Sequence, residues 1–265
     1  MFDRYILASK YIRIRKRFNM CYISDSESYL PSYNISVGQE AYVVTNYQTK
    51  EIHRFHFGLT GISNEPVPFV RAEGDRNLSD NPNYTGSKAI FLKSEYSNFI
   101  RNQRCLVLAD AFIAGINTTP YLVYLRNKQR PFAFAGIWNK HKNETGEEVY
   151  SFAIITVTAN KLLHKLGYKR MPVILYPGNE SGWLRASSQL NDILYMLSSI
   201  PANLMNTYPI SNKIADITKN DKTLISPIGK PILKEPEYTI IKRAKKQKED
   251  HFPDITLADI MKQGK

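Results

Sequence analysis

The 265 residues are enough for one large domain with a short extension, and a composition of 43% hydrophobic, 12% aromatic and 23% charged residues is typical of a folded protein. Thirty-six Lys and Arg against 24 Asp and Glu give a formal net charge of +12, which favours a polyanionic partner such as nucleic acid. Cys21 and Cys105 lie far apart and outside any CxxC pair, which excludes a disulfide framework and a zinc knuckle.

The first residues lack the apolar core of a signal peptide, and no apolar run reaches the length of a membrane span. We therefore expect a cytoplasmic protein, associated with the nucleoid if it binds DNA. We also expect a monomer with no membrane, metal or cofactor partner.

The predicted elements begin with a short strand and an amphipathic basic helix within residues 4–18. Short β-type runs follow at 41–45, 52–59, 105–115, 120–126, 131–138 and 150–158. The cluster NETGEE (143–148) before the last run is typical of a hairpin turn. Helices are predicted at 160–167, with an Asn cap and a terminal Gly, and at 188–199. This order predicts an α+β fold that is mainly antiparallel β and barrel-like, with flanking helices.

A single domain is predicted at 1–236 and a basic tail at 237–265, interpreted as a solvated extension. Residues 238–265 hold seven basic and four acidic residues, so +9 of the net charge of +12 belongs to the rest of the chain. The basic character is therefore mainly a property of the predicted domain.

The sequence lacks the signatures of a P-loop, a zinc peptidase, a serine hydrolase and an EF-hand. His53 and His56 lie three positions apart in a predicted strand, so alternation places them on opposite faces and favours structural roles. These patterns alone indicate a basic α+β domain and a candidate nucleic-acid binder.

Nine short blocks in a fixed order are more informative than any one of them. The blocks are MFDRY (1–5), YNISVGQ (33–39), FGL (57–59), VRAE (70–73), RCLVLADAF (104–112), FAFAGIW (132–138), FAIITVTAN (152–160), KRMPVIL (169–175) and WL (183–184). In this order the chain resembles the SOS-response-associated peptidase (SRAP) family, whose members capture abasic sites in single-stranded DNA as DNA–protein crosslinks. The resemblance runs from residue 1 to about residue 230.

The resemblance implies a Cys directly after the initiator Met. Its free amine and thiol condense with the ring-opened aldehyde of the abasic sugar to give a thiazolidine. This sequence has Phe2 there, which carries no nucleophile, and a bulky second residue normally prevents removal of the initiator Met. Neither Cys21 nor Cys105 can substitute, because an internal Cys has no free α-amine beside its thiol. We expect Cys105, within an apolar run, to be a buried and inert thiol.

Three further catalytic positions of the family are also changed. The Asn of N-A-R-x-E, which orients the nucleophile, is Phe69 here. The Glu of G-F-x-E-W, which transfers protons, is Ala114, and Gly115 replaces the Trp. The His of H-x-R-M-P, which assists opening of the sugar ring, is Tyr168. No catalytic residue is therefore assigned, and His164, four positions before Tyr168, is interpreted as a helix-surface residue.

The positions that the family places near DNA are better kept. Arg4, Arg71 and Arg170 stand where the family has guanidinium groups near phosphates, and Phe57 replaces a Trp that stacks on a base. Asn34 is retained in YNISVGQ, although Val37 replaces a Pro of that loop. The alternative for the arginines is a structural ion pair, and Glu73 is interpreted as structural.

Three hypotheses follow from these substitutions. The first is a SRAP-fold protein that binds single-stranded or damaged DNA in an SOS response, without the crosslinking and autopeptidase chemistry. The second keeps a lyase activity through a Schiff base on the Met1 amine. The third is a non-catalytic protein-interaction scaffold. Whether the protein is an enzyme stays open at this point.

Overall fold

The structure is a computed structural model that describes residues 2–20, 22–23, 29–115, 119–126 and 130–234, of which 2, 3, 22 and 23 are described by their backbone alone. The chain divides into a compact unit, Met1–Lys234, and a second unit, Glu235–Lys265. The predicted basic tail at 237–265 lies outside the described residues.

Most of the described elements are strands. They are β1 (Phe2–Leu7), β2 (Tyr22–Ile23), β3 (Ser32–Ser36), β4 (Glu40–Thr45), β5 (Glu51–Phe57), β6 (Phe69–Arg71), β7 (Arg104–Ala109), β8 (Ala111–Ala114), β9 (Tyr121–Leu125), β10 (Phe132–Lys142), β11 (Glu148–Thr158), β12 (Arg170–Pro172), β13 (Ile174–Leu175) and β14 (Met205–Pro209). The helices are α1 (Tyr11–Phe18), α2 (Ser94–Asn102), α3 (Lys161–Lys165), α4 (Glu180–Leu184) and α5 (Leu190–Tyr195). None of the helices in this described part is long and apolar enough to cross a membrane.

Five strands close into a barrel in the order β11, β10, β7, β4, β5, and β5 pairs back onto β11. The first four pairs are antiparallel, whereas the closing pair is parallel, with Ser151 opposite His56 and Phe152 opposite Phe57. A closed ring with an odd number of strands cannot alternate in direction throughout, so one parallel pair is required. The predicted barrel-like, mainly antiparallel α+β fold is confirmed.

A second sheet, in the order β14, β9, β8, β1, β3, is antiparallel throughout. The chain passes from the barrel into this sheet at Asp110, which splits the run 105–115 that the sequence predicted as one strand. The Asp110 carboxylate accepts hydrogen bonds from Ala8 N at 2.7 Å and from Ser9 N and Ser9 Oγ at 2.6 Å. These bonds hold the corner and fix the end of β1.

Strand β1 separates two apolar clusters. Tyr5 and Leu7 belong to the main core, while Ile6 packs with Ile113, Ile210 and other residues of a smaller cluster on the other face of the sheet. Helix α1 buries Ile14 and Phe18 in the main core, as its amphipathic sequence predicts.

Helix α2 is absent from the sequence-based predictions, and a buried arginine secures it. Arg104 is 0% exposed and donates hydrogen bonds to the carbonyls of Ile100 and Arg101 at the end of α2. It also donates to Trp183 O at 2.7 Å and Arg185 O at 2.8 Å at the end of α4.

Helix α3 has the predicted cap, since the Asn160 side chain accepts hydrogen bonds from Leu162 N and Leu163 N. Helix α5 is shorter than the predicted 188–199.

Candidate functional site

Two of the four changed catalytic positions lie opposite each other on neighbouring strands of the second sheet. In the antiparallel pairing of β1 with β8, Phe2 lies opposite Ala114, and the register shifts before Arg4 pairs with Ile113. The start of β1 therefore lies beside the end of β8.

Tyr168 lies against the next residue, Gly115. A Cβ atom built on Gly115 would lie 1.9 Å from the Tyr168 hydroxyl oxygen, far inside van der Waals contact, and 3.0 Å from Thr119 O. Gly115 also has φ +81°, a left-handed conformation that favours glycine. The side chain of Tyr168 and the missing side chain at 115 are thus complementary, and a Trp at 115 would be incompatible with this position of Tyr168.

Phe69 is joined to β1 through aromatic rings. Its ring centroid lies 5.6 Å from that of Phe57, which in turn lies 5.6 Å from Tyr5 and is stacked on Phe152 at 5.3 Å. The Tyr5 hydroxyl is buried with no hydrogen-bond partner among the described residues, and burial raises its pKa well above the ordinary value. Phe69 is therefore part of a predominantly apolar aromatic cluster that includes Tyr5 of β1.

Few groups at these positions could perform acid–base or nucleophilic chemistry. Phe and Ala side chains neither ionise nor attack an aldehyde, which leaves the Tyr168 hydroxyl. His164 is exposed on α3, in agreement with a surface role. Cys105 is 0% exposed, and burial raises the pKa of its thiol well above the ordinary value, so it is neutral near pH 7. Cys21 lies outside the described residues.

The predicted DNA contact Arg170 is instead the centre of a buried ion-pair network. Its side chain is 2% exposed, and Nη2 donates to Glu73 Oε2 at 2.9 Å and to Thr156 O at 2.6 Å. Glu73 is also buried, with Lys88 Nζ 3.5 Å from Oε1. This placement favours a structural role for Glu73, and as placed Arg170 is inaccessible to a phosphate.

Arg71 is the more accessible partner in the same network, with 28% of its side chain exposed. It donates two hydrogen bonds to the carboxylate of Asp80, and Arg170 Nη1 donates to Asp80 Oδ1 at 3.2 Å. Burial by itself would raise the pKa of Asp80, but the hydrogen bonds and charges of Arg71 and Arg170 hold it below the ordinary value. Asp80 is therefore ionised near neutral pH.

Arg4 and Asn34 connect the second sheet to residues 214–219. Arg4 Nη1 donates to Asn34 Oδ1 and to Ile214 O, each at 2.9 Å, and Nη2 donates to Ala215 O at 2.9 Å. Asn34 Nδ2 donates to Asp216 O at 2.9 Å and to Lys219 O at 3.0 Å. Both residues are buried, so these placements favour structural roles.

Phe57 is 0% exposed because it lies at the parallel seam that closes the barrel. As placed, it has no free ring face, so the structure does not support the predicted stacking on a base.

Asp80 was missed by sequence reasoning, because an Asp in the polar stretch NLSDNPN has the pattern of an ordinary solvated turn. Among the residues that the structure describes, no group of three or more His, Cys, Asp or Glu could hold a metal ion.

The fold and the site define an α+β barrel protein with an aromatic cluster packed on Tyr5 of its first strand and an Arg–carboxylate network on neighbouring strands. The family model for SOS response associated peptidase (SRAP) matches residues 1–217. The chain therefore belongs to the SRAP family.

Two relatives that are abasic site processing proteins agree with this assignment. The abasic site processing protein YoqW of Bacillus subtilis (strain 168) is 28% identical over 233 residues, which covers 85% of this chain and 99% of YoqW. The abasic site processing protein HMCES of Rattus norvegicus is 26% identical over 258 residues, covering 80% of this chain and 69% of HMCES. A solved structure of a Bacteroides thetaiotaomicron protein has a TM-score of 0.67 at 23% identity, covering 84% of this chain and 98% of that protein, and it supports the fold.

Proposed function

We propose that the protein binds single-stranded or damaged DNA in a DNA-damage (SOS) response and that its crosslinking and autopeptidase chemistry has been lost. The relatives that are abasic site processing proteins support the connection with DNA. The net charge of +12 supports a polyanionic partner.

The main support for the loss of chemistry is the contact between Tyr168 and Gly115, in which the Tyr168 hydroxyl occupies the space that a side chain at 115 would need. In the family pattern these positions hold His and Trp, and here each replacement suits the other. Together with Phe2, Phe69 and Ala114, this leaves the thiazolidine mechanism without its nucleophile, its orienting amide and its carboxylate. The fit of Tyr168 against Gly115 and the aromatic contact of Phe69 with Phe57 support a site that no longer holds the family's catalytic groups.

A denaturing gel tests the chemical part of the proposal. The protein is incubated with an oligonucleotide that contains one abasic site, and heat-stable crosslinked bands are quantified. We expect no band above that of an undamaged control oligonucleotide. A heat-stable band specific to the abasic site would refute the loss of crosslinking.

Fluorescence anisotropy with an undamaged single strand tests the binding part. Affinity should fall as salt rises, because phosphate neutralisation releases counterions. Arg71→Ala should weaken binding and reduce the slope of log affinity against log salt by about 1. Arg101→Ala, an exposed residue on α2 with the same change of charge, is the matched control.

The internal bonds of Arg4, Asn34 and Arg170 favour a second candidate, a protein-interaction scaffold in which DNA binding was lost with the chemistry. These side chains are held by the protein without DNA. Absence of salt-dependent binding to single strands, or equal affinities of wild type and Arg71→Ala, would support the scaffold over DNA binding.

A further inference from the structure

One carboxylate lies between two arginines that come from different strands. Arg71 on β6 and Arg170 on β12 flank β11, where they pair with Thr156 and Thr158. Asp80 Oδ1 accepts hydrogen bonds from Nη1 of both arginines, and Asp80 Oδ2 accepts one from Arg71 Nη2 at 3.3 Å. The two guanidinium groups thus converge on a single anionic group.

The other hydrogen bonds of Arg71 and Arg170 orient both guanidinium groups toward Asp80. Arg170 Nη2 is held by Glu73 and Thr156, which leaves Nη1 directed at Asp80. Arg71 donates to Asn77 O at 3.1 Å and otherwise to Asp80. Within the described ranges, Asp80 is the one carboxylate paired with Arg71. A carboxylate and a phosphate offer guanidinium groups the same pattern of adjacent anionic oxygens.

Asp80 is carried by an exposed turn. Residues 78, 79 and 81–83 are all exposed, with Leu78 64% exposed. Asp80 has φ +58°, a left-handed conformation that Asp and Asn adopt more readily than most residues with a side chain. The turn is held mainly at its base, where Asn77 Oδ1 accepts a hydrogen bond from Asn81 N at 2.9 Å. Movement of this turn would take Asp80 away from both arginines without breaking the strand pairings of β6 and β12 with β11.

We propose that Asp80 is an internal stand-in for a phosphate: it occupies an anion site formed by Arg71 and Arg170, and a phosphodiester of bound DNA displaces it. The proposal rests on the proposed DNA binding and adds a regulatory contact to it. It also accounts for arginines that are engaged in the free protein and become available to DNA when the turn moves. Asp80 therefore lowers the affinity for DNA.

Asp80→Asn is the informative variant, because it keeps the shape of the side chain and removes its charge. Asp75→Asn is the matched control, since Asp75 is exposed, lies five residues away and pairs with Lys93 at 2.9 Å. Both variants change the net charge by the same amount. Affinity for a labelled, undamaged single strand is measured by anisotropy at several salt concentrations, and thermal unfolding establishes that each variant is folded.

We expect Asp80→Asn to bind at least about fivefold more tightly than Asp75→Asn, a coupling of the size expected between two competing anions. The gain should vanish in the double variant Arg71→Ala/Asp80→Asn.

Three results would overturn the proposal. If the wild type binds DNA and the two Asn variants bind equally, Asp80 does not compete with DNA, although the proposed function stands. If no variant binds DNA, the proposed function fails and this proposal fails with it. Inorganic phosphate provides a separate arm: if it stabilises Asp80→Asn over Asp75→Asn while DNA does not, the site takes free phosphate and the assignment to a phosphodiester is wrong.

Discussion

Replacing Arg170 with Ala is expected to destabilise the protein strongly. The guanidinium is 2% exposed and lies 2.9 Å from Glu73 Oε2, and its removal leaves a carboxylate that is 1% exposed. Lys88 Nζ, 3.5 Å from Oε1, is then the remaining ion-pair partner of Glu73. Loss of one member of a buried ion pair costs about 3–5 kcal/mol, because the other charge stays desolvated.

Circular dichroism during heating measures this cost. For a domain of this size, each kcal/mol lowers Tm by about 2–4 °C, so the expected decrease is roughly 6–20 °C. Arg71→Ala is the control, since its side chain is 28% exposed and its ion pair should contribute about 1 kcal/mol or less. Adding Glu73→Gln to Arg170→Ala should recover part of the loss by removing the uncompensated charge.

A decrease in Tm of less than about 2 °C for Arg170→Ala would refute this reasoning. Arg170 would then contribute little to folding, and its buried charge would need another explanation, such as contact with DNA after a rearrangement. Measuring single-strand affinity on the same protein separates the two roles, because a purely structural residue changes affinity only through unfolding.

Three other predictions concern the neighbouring groups. Gly115→Ala should destabilise the fold by about 1–3 kcal/mol, because its Cβ meets the Tyr168 hydroxyl and its φ is positive; adding Tyr168→Ala should recover the steric part in urea unfolding. Tyr5→Phe should leave stability unchanged or raise it by about 1 kcal/mol, because the buried hydroxyl has no partner in the described part of the chain, and a clear loss would indicate an unrecognised hydrogen bond. Arg71 and Arg170 lower the pKa of Asp80 despite its burial. The Asp80 carboxylate therefore contributes its full share of the folding stability above its unfolded pKa of about 4, and this share is lost as the pH falls through the folded pKa. The difference in unfolding free energy between wild type and Asp80→Asn should be constant above about pH 5 and shrink below about pH 4.

The features predicted correctly from sequence depend on neighbours along the chain. The hairpin between β10 and β11 follows from its turn cluster, and the start of α3 follows from the Asn160 cap. The corner at Asp110 was missed because its partners, Ala8 and Ser9, lie about a hundred positions away. The same reason applies to α2, whose end is satisfied by Arg104 together with α4.

The candidate site shows the same division. Family motifs identified Phe2, Ala114 and Tyr168 as changed positions, and the structure places Phe2 opposite Ala114 and Tyr168 beside Gly115. Burial could not be predicted from those motifs, because it depends on what other strands contribute. Phe57 is covered at the barrel seam, and the carboxylate that Arg170 shares with Arg71 arrives on a turn whose sequence is simply polar.

The substitutions at positions 115 and 168 depend on each other. With Gly115 in a left-handed conformation and the Tyr168 hydroxyl in the space that a side chain at 115 would need, neither family residue can be restored alone without altering the contact at the other position. Tyr168→His by itself would leave an unfilled space beside Gly115 and still no carboxylate at Ala114 and no nucleophile at Phe2. If crosslinking has been lost as proposed, its recovery would require the whole set of substitutions, whereas the proposed DNA binding through Arg71 depends on none of them. The proposed loss of catalysis and the proposed DNA binding therefore depend on different residues.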